Sequence, residues 1–281
     1  MNAPLTQRDQ LIASLTEMVR SDSLLSCVSV KSVNDYLLHA CEIDGALLTL
    51  PLQGCKRASE GGQGDDWLEI RPGELFVIPN ARVLDIANVP DPRTGEYLAI
   101  AIPLCEQLLD MVRYMLPEAV TADRGRISTV SLDGLAEPLL RWAEAAGSGR
   151  RPQAYLALAG VVVQLCEMGC TSLLAPTPPR LCARIRTMIA GAPARDWCSA
   201  DFEQELGISG PTLRRRLAEE GTGLRELIAD ARLSSALQML LASRLPVKTV
   251  AARVGYASTS SFVKRFSARY GVEPSRVSAA A

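Results

Sequence analysis

Hydrophobic positions change their period twice along this chain, and the changes divide it. Leu5, Leu11, Ile12, Leu15 and Val19 recur at helical spacing and predict an amphipathic helix over residues 5–20. From Leu25 to Pro103 the pattern shortens into runs rich in Val, Ile, Leu, Thr and Tyr: SCVSVK, NDYLLHAC, ALLTLPL, DWLEI, ELFVIPN, RVLDIA and YLAIAI. Turn residues separate them, at Asp44-Gly45, Gly61-Gly62-Gln63-Gly64, Arg71-Pro72-Gly73 and Asp91-Pro92 with Gly95. Seven or more short strands so spaced predict a small antiparallel barrel or sandwich. The helical period then returns, over Leu104 to Leu116, Leu132 to Ala146 and Ala154 to Cys170, and persists to the end of the chain. The fold class expected is α+β with two domains: a β-barrel or sandwich with flanking helices, then an all-α domain.

The last hundred residues carry the most specific pattern. Val247, Val250, Ala251 and Val254 give a short helix one apolar face, and Gly255 stands where a left-handed stop is needed. Ser258 offers an N-cap hydroxyl, and Phe262, Phe266 and Tyr270 stripe a second helix. Its other face holds Thr259, Ser260, Ser261, Lys264 and Arg265. A short helix, a tight turn and a helix exposing hydroxyls and cations suit a helix-turn-helix whose second member enters a DNA major groove. The unit has an approximate copy 49 residues earlier, where Ser209, Leu213 and Leu217 stand for Ser258, Phe262 and Phe266 after the turn Gly207-Ile208-Ser209. There Thr212 and the consecutive Arg214, Arg215 and Arg216 supply hydroxyl and charge; three successive helical positions span 200°, so the three cannot all face one groove. Between the units, Leu224, Leu227, Ile228, Ala231, Leu233, Ala236, Leu237, Leu240 and Leu241 predict one long helix that fixes their separation.

Charge distribution agrees with a division of labour. The chain of 281 residues has net charge −1, but residues 1–179 hold 14 Lys and Arg against 22 Asp and Glu, and residues 180–281 hold 16 against 9. A basic carboxyl-terminal module joined to an acidic one fits DNA binding in the former alone. Three prolines within Leu174-Ala175-Pro176-Thr177-Pro178-Pro179 mark a stiff connector, giving domains at 1–170 and 180–281 with a linker over 171–179. No run of 18 or more apolar residues and no leader pattern occurs, so a cytoplasmic protein without a membrane span is expected. The eight cysteines lack Cys-x-x-Cys spacing and read as reduced thiols.

At this point the chain resembles the AraC/XylS family of bacterial transcription regulators. The resemblance runs from about Pro179 to Arg276 through Asp196-Trp197, Gly207-Ile208-Ser209, Leu213 with Arg215, Leu217, Gly221, Arg232, Ala236 with Leu240, Val250-Ala251, Gly255-Tyr256, Phe262, Phe266, Gly271, Pro274 and Arg276. It departs at Glu203, where the family usually has a small alanine. The turn Pro72-Gly73-Glu74 before FVIP is similar to the hairpin common in cupin-type barrels, as in effector domains of this family. The resemblance implies a regulator of transcription, an activator among the possibilities, that binds double-stranded promoter DNA and works with RNA polymerase if it activates. It also implies a small-molecule effector and a homodimer paired through the helices over 104–170; covering the sheet is the other reading of those helices.

DNA contacts are expected from Ser209, Thr212, Arg214, Arg215, Thr259, Ser260, Ser261, Lys264 and Arg265. Effector contacts are sought among Trp67, Phe76, Tyr97 and His39, the bulky or titratable residues on strands. The single histidine, His39, leaves no His-rich metal site and no second base, and neither a Gly-x-Ser-x-Gly elbow nor a Walker loop occurs. No enzyme, cofactor or bound metal is expected, and a cupin-type enzyme is kept only as a distant alternative. Two alternatives for the first domain stay open: binding a protein partner, and sensing oxidants or metal through Cys166 and Cys170 at i, i+4 or through Cys41 and Cys55.

Overall fold

The computed structural model describes residues 6–21, 28–61, 66–176, 180–243 and 245–278. Leu5, the start of the SCVSVK run, the Gly62-Gln63-Gly64 turn and Thr177-Pro178-Pro179 lie outside the described residues. The chain forms two compact units, Met1–Pro176 and Thr177–Ala281.

The first unit opens with α1 (Gln7–Arg20), whose Thr6 cap and Asp9 exchange hydrogen bonds in a capping box and whose Leu11, Leu15 and Val19 are buried. The strands are β1 (Val28–Ser32), β2 (Tyr36–Ile43), β3 (Leu47–Gln53), β4 (Cys55–Ser59), β5 (Leu68–Ile70), β6 (Glu74–Ile78), β7 (Arg82–Val89) and β8 (Tyr97–Pro103). Helix α2 (Glu106–Met115) follows, then β9 (Ser128–Ser131), α3 (Ala136–Gly147) and α4 (Arg151–Glu167). All pairings are antiparallel and make two sheets, one ordered β1-β8-β3-β6-β9 and the other β2-β7-β4-β5.

Strand alternation gives the five-stranded sheet two different faces. Leu48, Leu50, Leu75, Val77, Leu98, Ile100 and Ile102 join one core with α1, α2, α3 and α4. Phe76, Tyr97 and Ala99 alternate with these residues and face the other way, where Lys56 of the four-stranded sheet lies 6.0 Å from the Tyr97 ring centre. The helices after the strands therefore cover the sheet: Leu108 on α2 and Leu158, Val161, Val162 and Leu165 on α4 are core residues. Along one stripe of α2, Leu108 is buried and Met111 packs partly buried against the core, while Met115 is exposed, beside a Tyr114 that is 90% exposed. Of the stretch 171–179, Thr171–Leu174 forms a 3-10 helix with Leu173 and Leu174 buried in the first unit's core.

The second unit is all helical: α5 (Leu181–Gly191), α6 (Ser199–Leu206), α7 (Gly210–Glu219), α8 (Leu224–Ala242), α9 (Val247–Arg253), α10 (Thr259–Tyr270) and α11 (Pro274–Val277). Leu227 and Ala231, in the first half of α8, complete a core with Ile185, Ile189, Phe202, Leu213 and Leu217. Its second half, with Ala236 and Leu240 buried, packs on α9 and α11. The 19 residues of α8 make a rod about 28 Å long that belongs to both halves of the unit.

Candidate nucleic-acid interface

Each half of the second unit is built around a turn that glycine makes possible. Gly207 ends α6 at φ +65° and Gly255 follows α9 at φ +82°, both left-handed. Around Gly207 the space for a Cβ is open, whereas at Gly255 a Cβ would stand 3.1 Å from the Arg232 guanidinium carbon and 3.2 Å from the Ala194 Cα. Arg232 is itself held by the carbonyls of Pro193, at 3.0 Å, and Arg195, at 2.8 Å, so α8 ties the 193–195 loop to the second turn. Gly207→Ala is therefore expected to destabilise the unit by about 1–2 kcal/mol, from backbone strain alone. Gly255→Ala is expected to destabilise it more, because strain and crowding add. Urea melts of both variants check the order; equal effects would mean that the Arg232 contact does not constrain the turn.

After each turn a serine caps the helix that follows. Ser209 Oγ accepts the Thr212 N–H at 3.5 Å and lies 2.9 Å from the Thr212 hydroxyl. Ser258 Oγ accepts the Ser261 N–H at 3.4 Å and lies 2.8 Å from the Ser260 hydroxyl. The repeat seen in the sequence is thus a repeat of local structure, down to the cap. Ser209, one of the expected DNA contacts, caps α7 with its side-chain oxygen, as Ser258 caps α10.

Behind the caps one stripe of each helix is buried: Leu213 and Leu217 on α7, and Phe262, Phe266 and Tyr270 on α10. The α10 stripe is an aromatic ladder with ring centres 5.6 Å apart for Phe262 and Phe266 and 4.8 Å for Phe266 and Tyr270; Tyr256 from the turn meets Phe262 edge-on at 5.4 Å. Burying these stripes leaves the opposite faces outside. Arg214, Arg215 and Arg216 on α7, and Ser260, Ser261, Lys264 and Arg265 on α10, are all exposed; Thr212 and Thr259 are half-buried.

Electrostatics leaves most of these cations unengaged. Arg215 pairs with Glu219 at 3.3 Å, with both side chains more than half exposed, a pairing worth little against solvent. Among the described residues Arg214, Lys264 and Arg265 have no ion-pair partner. Arg216 turns toward a cleft that it lines with Leu181, Arg184, Glu219 and Glu220. In that corner Glu220 accepts the Leu181 and Cys182 amides at 2.8 and 3.1 Å, capping the start of α5 from another helix. Burial raises the Glu220 carboxyl, but those hydrogen bonds outweigh it and leave its pKa below the usual value.

The departure at Glu203 also has a local explanation. Gly210 opens α7 without a side chain, and a Cβ there would come within 2.7 Å of a Glu203 carboxylate oxygen. The same carboxylate accepts the Ser199 hydroxyl at 2.6 Å. A large residue on α6 is matched by a missing one on α7.

The four effector candidates do not converge. Phe76 and Tyr97 are fully buried and face the other sheet. Trp67 is only half-buried and lies under the exposed Arg57 guanidinium at 5.1 Å. His39, its side chain 52% exposed, lies 3.3 Å from Asp85, beside the β2 bulge at Ala40, where φ is +49°. The thiols of Cys166, on α4, and Cys170, just after it, are shielded: burial pushes Cys166 up to about 11 and raises Cys170, and Cys166 Sγ sits 4.0 Å from the Cys170 carbonyl. Such thiols hold little thiolate at neutral pH. Among the described residues no three His, Cys, Asp or Glu side chains are grouped to hold a metal ion, and no helix is long and apolar enough to cross a membrane.

Known proteins match this arrangement at two levels. Residues 203–280 fit a family model described as a helix-turn-helix domain. The HTH-type transcriptional activator FapR of Escherichia coli is 32% identical over 118 residues, covering 41% of this chain and 45% of that protein. The HTH-type transcriptional regulator GadX of Escherichia coli K12 is 33% identical over 102 residues, covering 36% and 37%. The chain thus spans less than half the length of these relatives. Among solved structures, ToxT of Vibrio cholerae with an unsaturated fatty acid bound superposes with a TM-score of 0.57, covering 89% of this chain and 92% of that one at 16% identity. That likeness extends the shared fold to both units: a sheet-rich first unit and a helical second.

Proposed function

We propose that this chain, whose carboxyl-terminal region is a helix-turn-helix domain of the AraC family, is a transcription regulator that binds promoter DNA through α7 and α10. The observation that carries the reading is the duplicated face: a glycine turn, a serine cap, a buried stripe and an exposed row of cations, twice on one rod. Arg214 and Arg215, with Thr212, read bases or phosphates in one major-groove segment; Thr259, Ser260, Ser261, Lys264 and Arg265 do so in the next. Two segments on one face of a duplex lie about 34 Å apart. Arg216, which lines a cleft with Glu219 and Glu220, is left out of the reading set.

The first unit, with residues 1–170 as effector domain and 171–179 leading to the DNA-binding domain, is read as the controlling half. A small molecule held between its sheets favours one of two states of the regulator, as far as its affinity for them differs. The likeness to a protein solved with a fatty acid bound supports this reading, as do the inward-facing polar groups of Lys56 and Tyr97. A cytoplasmic homodimer, in which Tyr114, Met115 and Leu156 on α2 and α4 meet a second copy, and contact with RNA polymerase for an activator, belong to the same proposal.

Fluorescence anisotropy of the full chain on duplexes selected from a random pool tests the DNA half. A protein neutralising about six phosphates loses on the order of 10³-fold in affinity between 50 and 200 mM salt. Binding that ignores salt would remove the proposal.

A further inference from the structure

The two halves of the second unit are joined by charge as well as by the α8 rod. Among the described residues, the buried side chains of the front core, from Leu181 to Ala231, all come from α5, α6, α7 and α8, so α10 has no share in it. Asp230, next to Ala231 on α8, reaches across: its Oδ1 lies 3.8 Å from Nε of Arg269, in the last turn of α10. Arg186, beside the buried Ile185 on α5, is half-buried in the field of the same carboxylate and of Arg269. Arg269 in turn lies along Tyr270, its guanidinium carbon 5.4 Å from the ring centre, so the charged group continues from the end of the aromatic ladder. One anion on α8 thus stands between a cation of the first half and a cation of the second.

Stability does not account for this carboxylate. Burial raises the Asp230 carboxyl above its usual value; Arg269 and Arg186 pull it back, and Glu226, one turn earlier on α8, pushes it up again. A carboxyl whose pKa is raised in the fold lowers stability once pH rises past its unfolded value, so Asp230 is not what keeps the unit folded. Nor does charge favour it: in a domain that meets phosphates, an anion by itself weakens binding. What a carboxylate between two guanidinium groups does fix is geometry, because without it the two cations face each other unscreened.

We propose that Asp230 is a positioning residue: by bridging Arg186 and Arg269 it fixes the rotation of α10 relative to the first half, and so sets which spacing between two major-groove segments the protein accepts. The rod sets how far apart the halves stand, and the tie from α10 back to α5 sets their mutual angle. This rests on the reading of α7 and α10 as the DNA-contacting helices and adds what holds them in register. Nothing in the sequence joins residues 186, 230 and 269, which only the packing of α5, α8 and α10 brings together.

Anisotropy titrations of the full chain compare a duplex recovered from a random pool with the same duplex carrying one extra base pair between its two protected segments, which turns the second segment by about 35° and moves it about 3.4 Å. Wild type is expected to bind the lengthened duplex on the order of thirtyfold more weakly. Asp230→Asn has the same shape without the charge. It is expected to melt no lower than wild type, to bind the parent duplex about tenfold more weakly despite the lost negative charge, and to distinguish the two duplexes by less than about threefold. Asp230→Glu keeps the charge and is expected to restore most of the spacing preference. An Asp230→Asn chain that binds the parent duplex as tightly as wild type, keeps the wild-type preference or melts lower would overturn the bridge and leave DNA reading by α7 and α10 standing. A wild type indifferent to the extra base pair would overturn it too, and would count against two reading helices held on one rod.

Discussion

Removing the charge of Arg214 and Arg215 together, or of Lys264 and Arg265 together, is expected to lower affinity for a selected duplex by on the order of 10²-fold. A bidentate arginine contact to guanine is worth about 1–3 kcal/mol of discrimination, and a phosphate contact adds its share of released counterions. All four side chains are exposed, and the one with an ion pair, Arg215 to Glu219, gives up only a solvent-screened interaction, so the double alanine variants fold as the wild type does. Base and phosphate roles separate in the data. Deleting a phosphate-binding side chain weakens all sequences alike and lowers the salt slope by about 1, while deleting a base-reading one relaxes preference at one position. The two pairs are expected to affect binding sites about one helical turn apart. Anisotropy titrations at several salt concentrations measure both effects. An Arg214/Arg215 variant that binds as tightly as wild type would restrict reading to α10.

Phe266→Ala is expected to destabilise the second unit by about 3–5 kcal/mol, the range for emptying a buried aromatic site. Phe266 is fully buried and stands at the middle of the ladder, between Phe262 and Tyr270. That loss is a large share of the whole stability of an ordinary domain, about 5–15 kcal/mol. It falls where α10 must be held at a fixed angle to present Lys264 and Arg265. Hydrogen exchange is the measurement: amides of α9 and α10 are expected to lose protection, while those of β3 and β8 in the other unit keep theirs. Uniform loss across both units would show that the two melt as one body.

Most of the second unit was legible in the sequence because each helix there buries one stripe and solvates the rest, and a 3.6-residue period records that division directly. The caps were legible for the same kind of reason at Ser258, and less so at Ser209, whose hydroxyl reads as a DNA contact in the sequence and in the fold accepts the Thr212 amide. In the first unit the strands with Val, Ile and Leu runs were readable. Two were not: β4, CKRAS, because a cation sits in its buried row, and β9, STVS, because two serines and a threonine carry little apolar signal. The four effector candidates were chosen for bulk, which says nothing of facing; alternation sends Phe76 and Tyr97 inward, Trp67 lies under an exposed arginine and His39 beside a bulge. Lys56 and Asn88 were missed because a polar residue on a strand normally marks the solvent side, and only the cross-strand register reveals an inward polar row.

The account depends most on α8 holding two reading helices one helical turn apart. Hydroxyl-radical footprinting of the full chain on a duplex recovered from a random pool measures this directly. Two protected patches on one face, centred about 34 Å apart, with the first erased in the Arg214/Arg215 double variant and the second in the Lys264/Arg265 double variant, are predicted. A single patch, or two patches that both survive in either variant, would contradict it.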